Sequence, residues 1–326
     1  MKRKKLLTAL MILLLPVVLS QLDKTNLLYS IRQIPIEIVA IVIGLQIVSQ
    51  LLVNYQWYKI AKLTNLFIPF HRMLYINCLG SVVDSITPGV KVGGEITRTI
   101  QISRIGKCSV EQSGTIPVLQ KIFSLSAFFF IQLFAVGFLI RTVSLFESEH
   151  IQISIYSVLL LFLLIFATIF FIPHRIKSYL STKKSPRFFH SLLEQVVVIR
   201  KNTKAWVPLL LLSFLIWLIY PFKLYILAIQ IFNNVPIIYI VAITFVSYMV
   251  AMLPIFPGGL GGFEGTMVGL FTAVGLPISC AAVITLLFRF ITFWLVMLLS
   301  IIFIAFYKIY YKLCKGGLSH DQGQIN

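Results

Sequence analysis

The sequence has little charge, and it lacks the polar surface that a soluble domain needs. Asp, Glu, Lys and Arg make up 12% of its 326 residues, whereas about a quarter is usual in soluble proteins. Hydrophobic residues make up 59%, and the mean hydropathy is +0.95. This composition excludes a soluble globule and indicates a membrane protein.

The chain also lacks the residue patterns of common catalytic and metal sites. Its 4 cysteines are isolated and its 5 histidines are scattered, so neither a disulfide framework nor a zinc site is expected. A phosphate-binding GK[ST] loop, a GxSxG elbow, an HExxH pair and a Rossmann glycine pattern are all missing. We therefore expect no catalytic residue, no metal and no cofactor.

Acidic residues are scarce: 10 Asp and Glu face 28 Lys and Arg, a formal net charge of +18. In a soluble protein this balance would suggest nucleic acid. Here no basic domain interleaved with aromatic residues is present, so we expect no nucleic-acid partner. The excess instead indicates membrane topology and contact with anionic lipid headgroups.

Long apolar runs are present from end to end. They predict an all-α, polytopic integral membrane protein with about six to eight helices, forming a single membrane domain over residues 1–326. The predicted spans are 6–22, 35–53, 116–140, 151–172, 206–231 and 277–306. Shorter apolar pieces at 73–86, 235–256 and 266–275 flank two breaks.

Both breaks carry one proline-glycine signature, at 87–97 and 256–266, with Glu seven residues and Thr nine residues after Pro. Pro and Gly free backbone groups that lipid cannot satisfy, so such breaks must be covered by protein or line a polar cavity. The residues predicted to form the breaks and the cavity are Pro88, Gly89, Gly93, Gly94, Pro257, Gly258, Gly259, Gly261 and Gly262. Gly261, Gly265 and Gly269 also share a helix face and predict close helix packing.

The distribution of basic residues predicts the topology. Of the 28 Lys and Arg, 22 fall in five segments that we place in the cytoplasm, and both termini are then cytoplasmic. The segments are 1–5, 54–72, 91–107, the basic loop 173–205, and 308–315. Keeping them on one side requires re-entrant hairpins in two oppositely oriented repeats, 35–140 and 206–306, an architecture found in transporters.

Glu95 and Glu264 are the leading site candidates, because each follows a break where a helix should restart. One interpretation is purely structural, since a carboxylate stabilises a helix N-terminus. The other is functional, because ionisable residues within spans usually serve function. Arg289 lies in the middle of the last span and needs a partner, which we expect to be Glu264, Glu95 or a lipid phosphate.

Three further cations complete the predicted substrate-binding set. Lys91 and Arg98 flank Glu95, and Lys223 follows Pro221 in a span where a kink can open a polar pocket. Lys121 lies near the inner end of its span and is expected to extend to the interface.

These motifs resemble the transmembrane family of lysylphosphatidylglycerol synthases, which is also described as flippase-like. The resemblance is carried by Pro88-Gly89 through Arg98, the block 257–265, and Arg289 with Trp294, and it covers nearly the whole chain. It implies a membrane region that moves a modified lipid between leaflets. The soluble aminoacylating domain of the fused members is expected to be absent, and the family's Glu-Arg pair is replaced by Gln120 and Lys121.

The sequence therefore predicts a flippase in the plasma membrane for a phosphate-bearing lipid, aminoacylated or glycosylated, with acyl or polyprenyl tails. Two alternatives stay open. One is a lipid-modifying enzyme of the phosphatidylglycerol lysyltransferase type. The other is a non-catalytic membrane subunit for a partner synthase or glycosyltransferase.

Overall fold

The protein was analysed as a computed structural model, which describes residues 34–87, 92–142, 149–171, 187–232, 235–253 and 259–321. Every regular element within these ranges is helical, so the predicted all-α class is confirmed. The first half contains α1 (Ile36–Leu63), α2 (Phe70–Ile86), α3 (Val92–Gly106), α4 (Val110–Thr142), α5 (Glu149–Phe171) and α6 (Arg187–Lys201). The second half contains α7 (Thr203–Ala228), α8 (Ile237–Ala251), α9 (Gly262–Ala273), α10 (Ile278–Arg289), a π-helical segment (Phe290–Trp294) and α11 (Leu295–Asp321).

Within the described ranges, four helical stretches are long and apolar enough to cross a membrane: Ile36–Leu63, Val110–Ile140, Lys204–Ala228 and Ile278–Tyr311. The last of these includes α10, the π-helical segment and most of α11. The four stretches agree with predicted spans, and they establish the fold as a membrane bundle.

Proline marks the start of several helices. The proline ring fixes φ and leaves no backbone N–H, so proline is disfavoured in the interior of a helix and tolerated at its start. The residue immediately before α1, α2, α8 and α10 is proline in each case, namely Pro35, Pro69, Pro236 and Pro277.

Several helix bounds differ from the sequence prediction, and two of them have a clear physical consequence or cause. α1 continues to Leu63, beyond the predicted end at residue 53, because its polar final turns are buried against other helices rather than in lipid. α8 has 15 residues and ends at Ala251, so the predicted 235–256 segment is too long. At 1.5 Å per residue α8 measures about 22 Å, less than a hydrocarbon layer of about 30 Å.

Each predicted break separates two packed helices: α2 packs on α3, and α8 packs on α9. We call these pairs hairpin one and hairpin two. α3 begins at Val92 and α9 at Gly262, so the predicted break ranges 87–97 and 256–266 each include the first turn of a helix. Residues 88–91 and 254–258, the predicted N-terminal span, and residues 173–186 of the basic loop lie outside the described residues, whereas most of the rest of that loop forms α6.

Helices α4 and α7 contribute to both apolar cores. The larger core is centred on side chains such as Phe128, Phe245 and Phe271. The smaller joins the end of α1 to α2, α3, α6 and the first turns of α4 and α7, with Ile60 and Ile116 at its centre. α4 packs against α3 of hairpin one and against α8 of hairpin two. It is therefore in direct contact with both hairpins.

Candidate functional site

The end of hairpin one is held by a cluster of four charged side chains. Arg98 Nη1 on α3 lies 2.9 Å from Asp84 Oδ2 on α2 and 3.3 Å from Glu95 Oε1. Lys121 Nζ on α4 lies 3.2 Å from the same Glu95 oxygen. The cluster contains two acids and two bases, and it ties both arms of the hairpin to the following long helix.

Two glycines make room for this cluster. Gly80 on α2 lies against Arg98, and a Cβ at position 80 would meet the Arg98 Cγ at 2.7 Å. A Cβ at Gly94 would collide with the Asp84 carboxyl group, which accepts a hydrogen bond from the Gly94 N–H at 3.0 Å. Asp84 thus satisfies an N-terminal amide of α3 across the hairpin.

Hairpin two carries one buried ion pair. Glu264 Oε2 accepts a hydrogen bond from the Gly261 N–H at 2.7 Å, and Glu264 Oε1 lies 2.9 Å from Arg289 Nε. Gly261 has φ of +82°, a conformation that non-glycine residues rarely adopt. The structural interpretation of Glu264 as a helix cap is therefore confirmed, and the same carboxylate also neutralises Arg289.

The Arg289 guanidinium lies between two aromatic rings. Its Cζ is 4.8 Å from the centre of the Phe263 ring and 4.4 Å from that of Phe293. The backbone immediately after Arg289 widens into the π-helical segment, an irregularity that is frequent at functional sites. Aromatic faces stabilise a desolvated cation, so Arg289 is held by both charge and ring contacts.

The two hairpins share one arrangement. Glu95 pairs with Lys121, which follows it by 26 residues, and Glu264 pairs with Arg289, which follows it by 25. In each case a glutamate in the first turn of the second arm contacts a base on the next helix. The ammonium of Lys121 pairs with Glu95 while its side chain is 36% exposed, so its expected extension to the interface stays a prediction.

Lys223 occupies a separate position between α1 and α7. Its side chain is fully buried. It donates hydrogen bonds to Gln46 Oε1 and, at 3.3 Å, to Ser49 Oγ, and Nζ lies 4.0 Å from the centre of the Tyr220 ring. α7 runs as one helix through Pro221, and the kink expected at that proline stays a prediction.

The remaining predicted residues divide into two groups. Lys91, Pro88, Gly89, Pro257 and Gly258 lie outside the described residues. The other predicted glycines are described: Gly93, Gly94 and Gly262 belong to first helical turns, whereas Gly259 and Gly261 have positive φ.

The predicted packing stripe on α9 has no packing partner among the described residues at two of its positions. A Cβ added at Gly265 or Gly269 would meet nothing within 4 Å. The spacing correctly placed both residues on one helix face, but that face packs against no helix of the described chain.

Sequence reasoning missed Gln46, Ser49 and Gly80. Gln46 and Ser49 are one helical turn apart in an otherwise apolar span, and this spacing alone indicates a polar helix face. Gly80 gave no signal, because its importance depends on Arg98 reaching it from another helix.

Comparison with known proteins agrees with the membrane fold. Residues 5–300 match the family described as the lysylphosphatidylglycerol synthase TM region. A UPF0104 membrane protein of Methanocaldococcus jannaschii is 24% identical over 284 residues, covering 82% of this chain and 83% of the relative. A UPF0104 membrane protein of Pyrococcus horikoshii is 23% identical over 288 residues, covering 81% and 85%.

A third relative, a UPF0104 membrane protein of Methanothermobacter thermautotrophicus, is 21% identical over 290 residues and is covered over 85% of its length. These matches support a membrane location and a lipid-related function. The match to the family extends over most of the chain, and the motifs that carry the resemblance lie within it. The chain belongs to the lysylphosphatidylglycerol synthase transmembrane-region family.

Proposed function

We propose that this protein translocates a phosphate-bearing lipid between the leaflets of the plasma membrane. The observation that carries the proposal is a glutamate–base contact at each hairpin: the buried pair Glu264–Arg289 and the partly exposed pair Glu95–Lys121. Both belong to an all-helical membrane protein whose family is associated with lipid.

Energetics argue against a purely stabilising role for these ion pairs. Two charges removed from water lose solvation that their mutual attraction only partly restores, so apolar residues of similar volume often stabilise a protein as well or better. Within a membrane the cost of a charge is greater still. The presence of the buried Glu264–Arg289 pair at hairpin two therefore favours function.

The chemistry of the pairs suits exchange with a lipid headgroup. A guanidinium binds phosphate through paired hydrogen bonds, so a lipid phosphate can replace Glu264 at Arg289 or the carboxylates at Arg98. The released glutamates can receive a cationic group of the headgroup. The lipid tails remain in the bilayer throughout.

The helix pairs that pack together are equivalent in the two halves of the chain, and further pairs pack across the halves; both observations favour two repeats. α1 packs on α2 and α7 on α8; α3 packs on α4 and α9 on α10. Across the halves, α8 packs on α4 and α2 on α11, while α1 and α7 pack on each other. This exchange of equivalent contacts supports the proposed inverted repeat and a rocking motion of one half against the other.

The proposal is tested by reconstituting purified protein into liposomes with a labelled phospholipid in one leaflet. Protein-dependent loss of the asymmetry, much slower in Glu264→Gln, is expected. Equal rates for protein-containing and protein-free vesicles would refute translocation.

A further inference from the structure

Lys223 differs from the other buried cations of the described ranges. Arg98 and Arg289 both face carboxylates within 3 Å. The described residues supply Lys223 only with neutral partners: the Gln46 carbonyl oxygen, the Ser49 hydroxyl and the Tyr220 ring. A buried charge ordinarily requires a counter-charge.

Gln46 provides a second, independent observation. Because Lys223 is a donor, the Gln46 amide must direct its oxygen toward that ammonium, and its Nε2 group then faces elsewhere. Among the described residues Nε2 has no hydrogen-bond acceptor, although the side chain is fully buried. An unsatisfied buried donor costs about 1–3 kcal/mol, so its retention calls for an acceptor.

The Lys223 ammonium bonds one arm of the Gln46 carboxamide, and the unsatisfied Nε2 is the other arm, so the two donors lie close together in the structure. Together they supply the kinds of donor that an anionic oxygen accepts. Lys binds phosphate as a point charge, and an amide N–H adds a directional hydrogen bond. We infer that Lys223 and Gln46 form a binding site for a phosphate oxygen at the interface between α1 and α7. This site is separate from the hairpin ion pairs, and its role with lipid rests on the proposed function.

The position of the site explains how a buried group can meet a ligand. α1 and α7 are the first helices of the two proposed repeats, and they pack directly on each other. Lys223 and Gln46 become accessible when these helices separate. A row of aromatic rings connects Lys223 to Arg289. Lys223 contacts the Tyr220 ring, whose centre lies 5.3 Å from that of Tyr248. The Tyr248 ring lies 4.9 Å from that of Phe263, which contacts Arg289.

The test measures ligand-dependent thermal unfolding of the full chain in detergent at constant ionic strength. The probes are inorganic phosphate and monomeric dihexanoyl phosphatidylglycerol, with a short-chain diacylglycerol as the phosphate-free control. We expect saturable stabilisation of the wild type by at least one phosphate probe. Stabilisation by the lipid alone assigns the oxygen to a headgroup, and stabilisation by both assigns the site to phosphate from either source.

Two substitutions make the result specific. Gln46→Glu supplies an internal carboxylate to Lys223, so the fold should be preserved while the apparent affinity for the probe falls at least tenfold. Lys223→Gln should lose affinity by a similar factor. The matched control is Lys204→Gln, which removes an exposed charge near the start of the same helix and should bind as the wild type does.

Absence of stabilisation in the wild type, or equal stabilisation in the wild type and Gln46→Glu, would overturn the site. A parallel translocation assay separates this inference from the proposed function. If the wild type binds the probes with the expected variant pattern but moves no lipid, the site stands and translocation fails. If lipid moves but both site variants bind like the wild type, translocation stands and the site fails.

Discussion

At the residue scale, the charged groups of the hairpins depend on contacts that sequence order does not reveal. Glu95, Glu264 and Arg289 are identifiable because they interrupt apolar segments near the breaks. Glu264 was also among the expected partners of Arg289, and the structure pairs them. The partner Lys121 of Glu95 was not identifiable, since their distance depends on how α3 packs on α4. Sequence therefore identifies which residues are unusual, and packing determines what they contact.

Breaking the buried pair of hairpin two should be strongly destabilising. Glu264→Gln leaves Arg289 without its carboxylate in a site where both side chains are almost fully buried, and we expect a loss of about 3–5 kcal/mol. Arg289→Gln should cost a comparable amount.

The double variant Glu264→Gln, Arg289→Gln should recover part of that loss, because neither charge remains unpaired. Thermal unfolding in detergent measures the stability of the wild type, the two single variants and the double variant. If the stability loss of the double variant equalled the sum of the two single losses, the two residues would not be coupled.

The space beside Arg98 gives a second residue-scale prediction. Gly80→Ala places a methyl group against the buried guanidinium, and overpacking of this kind costs about 1–3 kcal/mol. Gly44→Ala is the control, because Gly44 lies inside α1 with nothing within 4 Å of an added Cβ.

Alanine favours a helix over glycine, so the control should be neutral or stabilising. Unfolding midpoints of the two variants measure the difference. If Gly80→Ala were as stable as Gly44→Ala, the close approach of Arg98 to α2 would be wrong.

At the scale of elements, the apolar runs and prolines of the sequence are sufficient to place most helices. They do not reveal that α1 continues through Asn54 and Gln56, whose side chains are buried by neighbouring helices. Gln56 donates hydrogen bonds to Ser213 at 2.6 Å and to the Leu209 carbonyl at 3.2 Å on α7. Tertiary contacts thus determine helix ends where polarity alone predicts a loop.

The start of α9 gives an element-scale prediction. Gly261→Ala forces a side chain into a positive-φ conformation at the residue whose N–H contacts Glu264, and the strain should cost about 1–3 kcal/mol. Gly265→Ala, one turn later with open space around its Cα, should have no such cost. Unfolding midpoints compare the two, and equal midpoints would contradict a strained cap.

The proposed re-entrant topology gives another prediction at this scale. Cysteines introduced at Lys62 and Ser109, which flank hairpin one, should react with an impermeant maleimide from the cytoplasmic side. Cysteines at Gln230 and Pro277, which flank hairpin two, should react from the opposite side. The background protein has Cys78, Cys108, Cys280 and Cys314 replaced by serine.

Labelling in intact cells and in inverted vesicles distinguishes the two faces. Reaction of Lys62→Cys and Ser109→Cys from different sides would show that hairpin one crosses the membrane completely. The inverted-repeat proposal would then be wrong.

At the scale of the whole molecule, the sequence predicts a membrane protein with two related halves. The polar interface between α1 and α7 was not predictable as a unit, because Gln46 and Lys223 are 177 residues apart in the chain. α4 contacts both hairpins, so movement at one hairpin can be transmitted to the other. These features suit a protein whose halves rock against each other around a polar centre.

Lipid movement in reconstituted vesicles tests this description most directly. Labelled phospholipid confined to one leaflet should redistribute faster in vesicles that contain the wild type than in protein-free vesicles. In folded and inserted protein, Glu264→Gln and Glu95→Gln should each slow the protein-dependent rate by about tenfold, the effect expected when a glutamate lowers the transport barrier by about 1.4 kcal/mol. Redistribution at the protein-free rate in wild-type vesicles, with the protein folded and inserted, would contradict translocation.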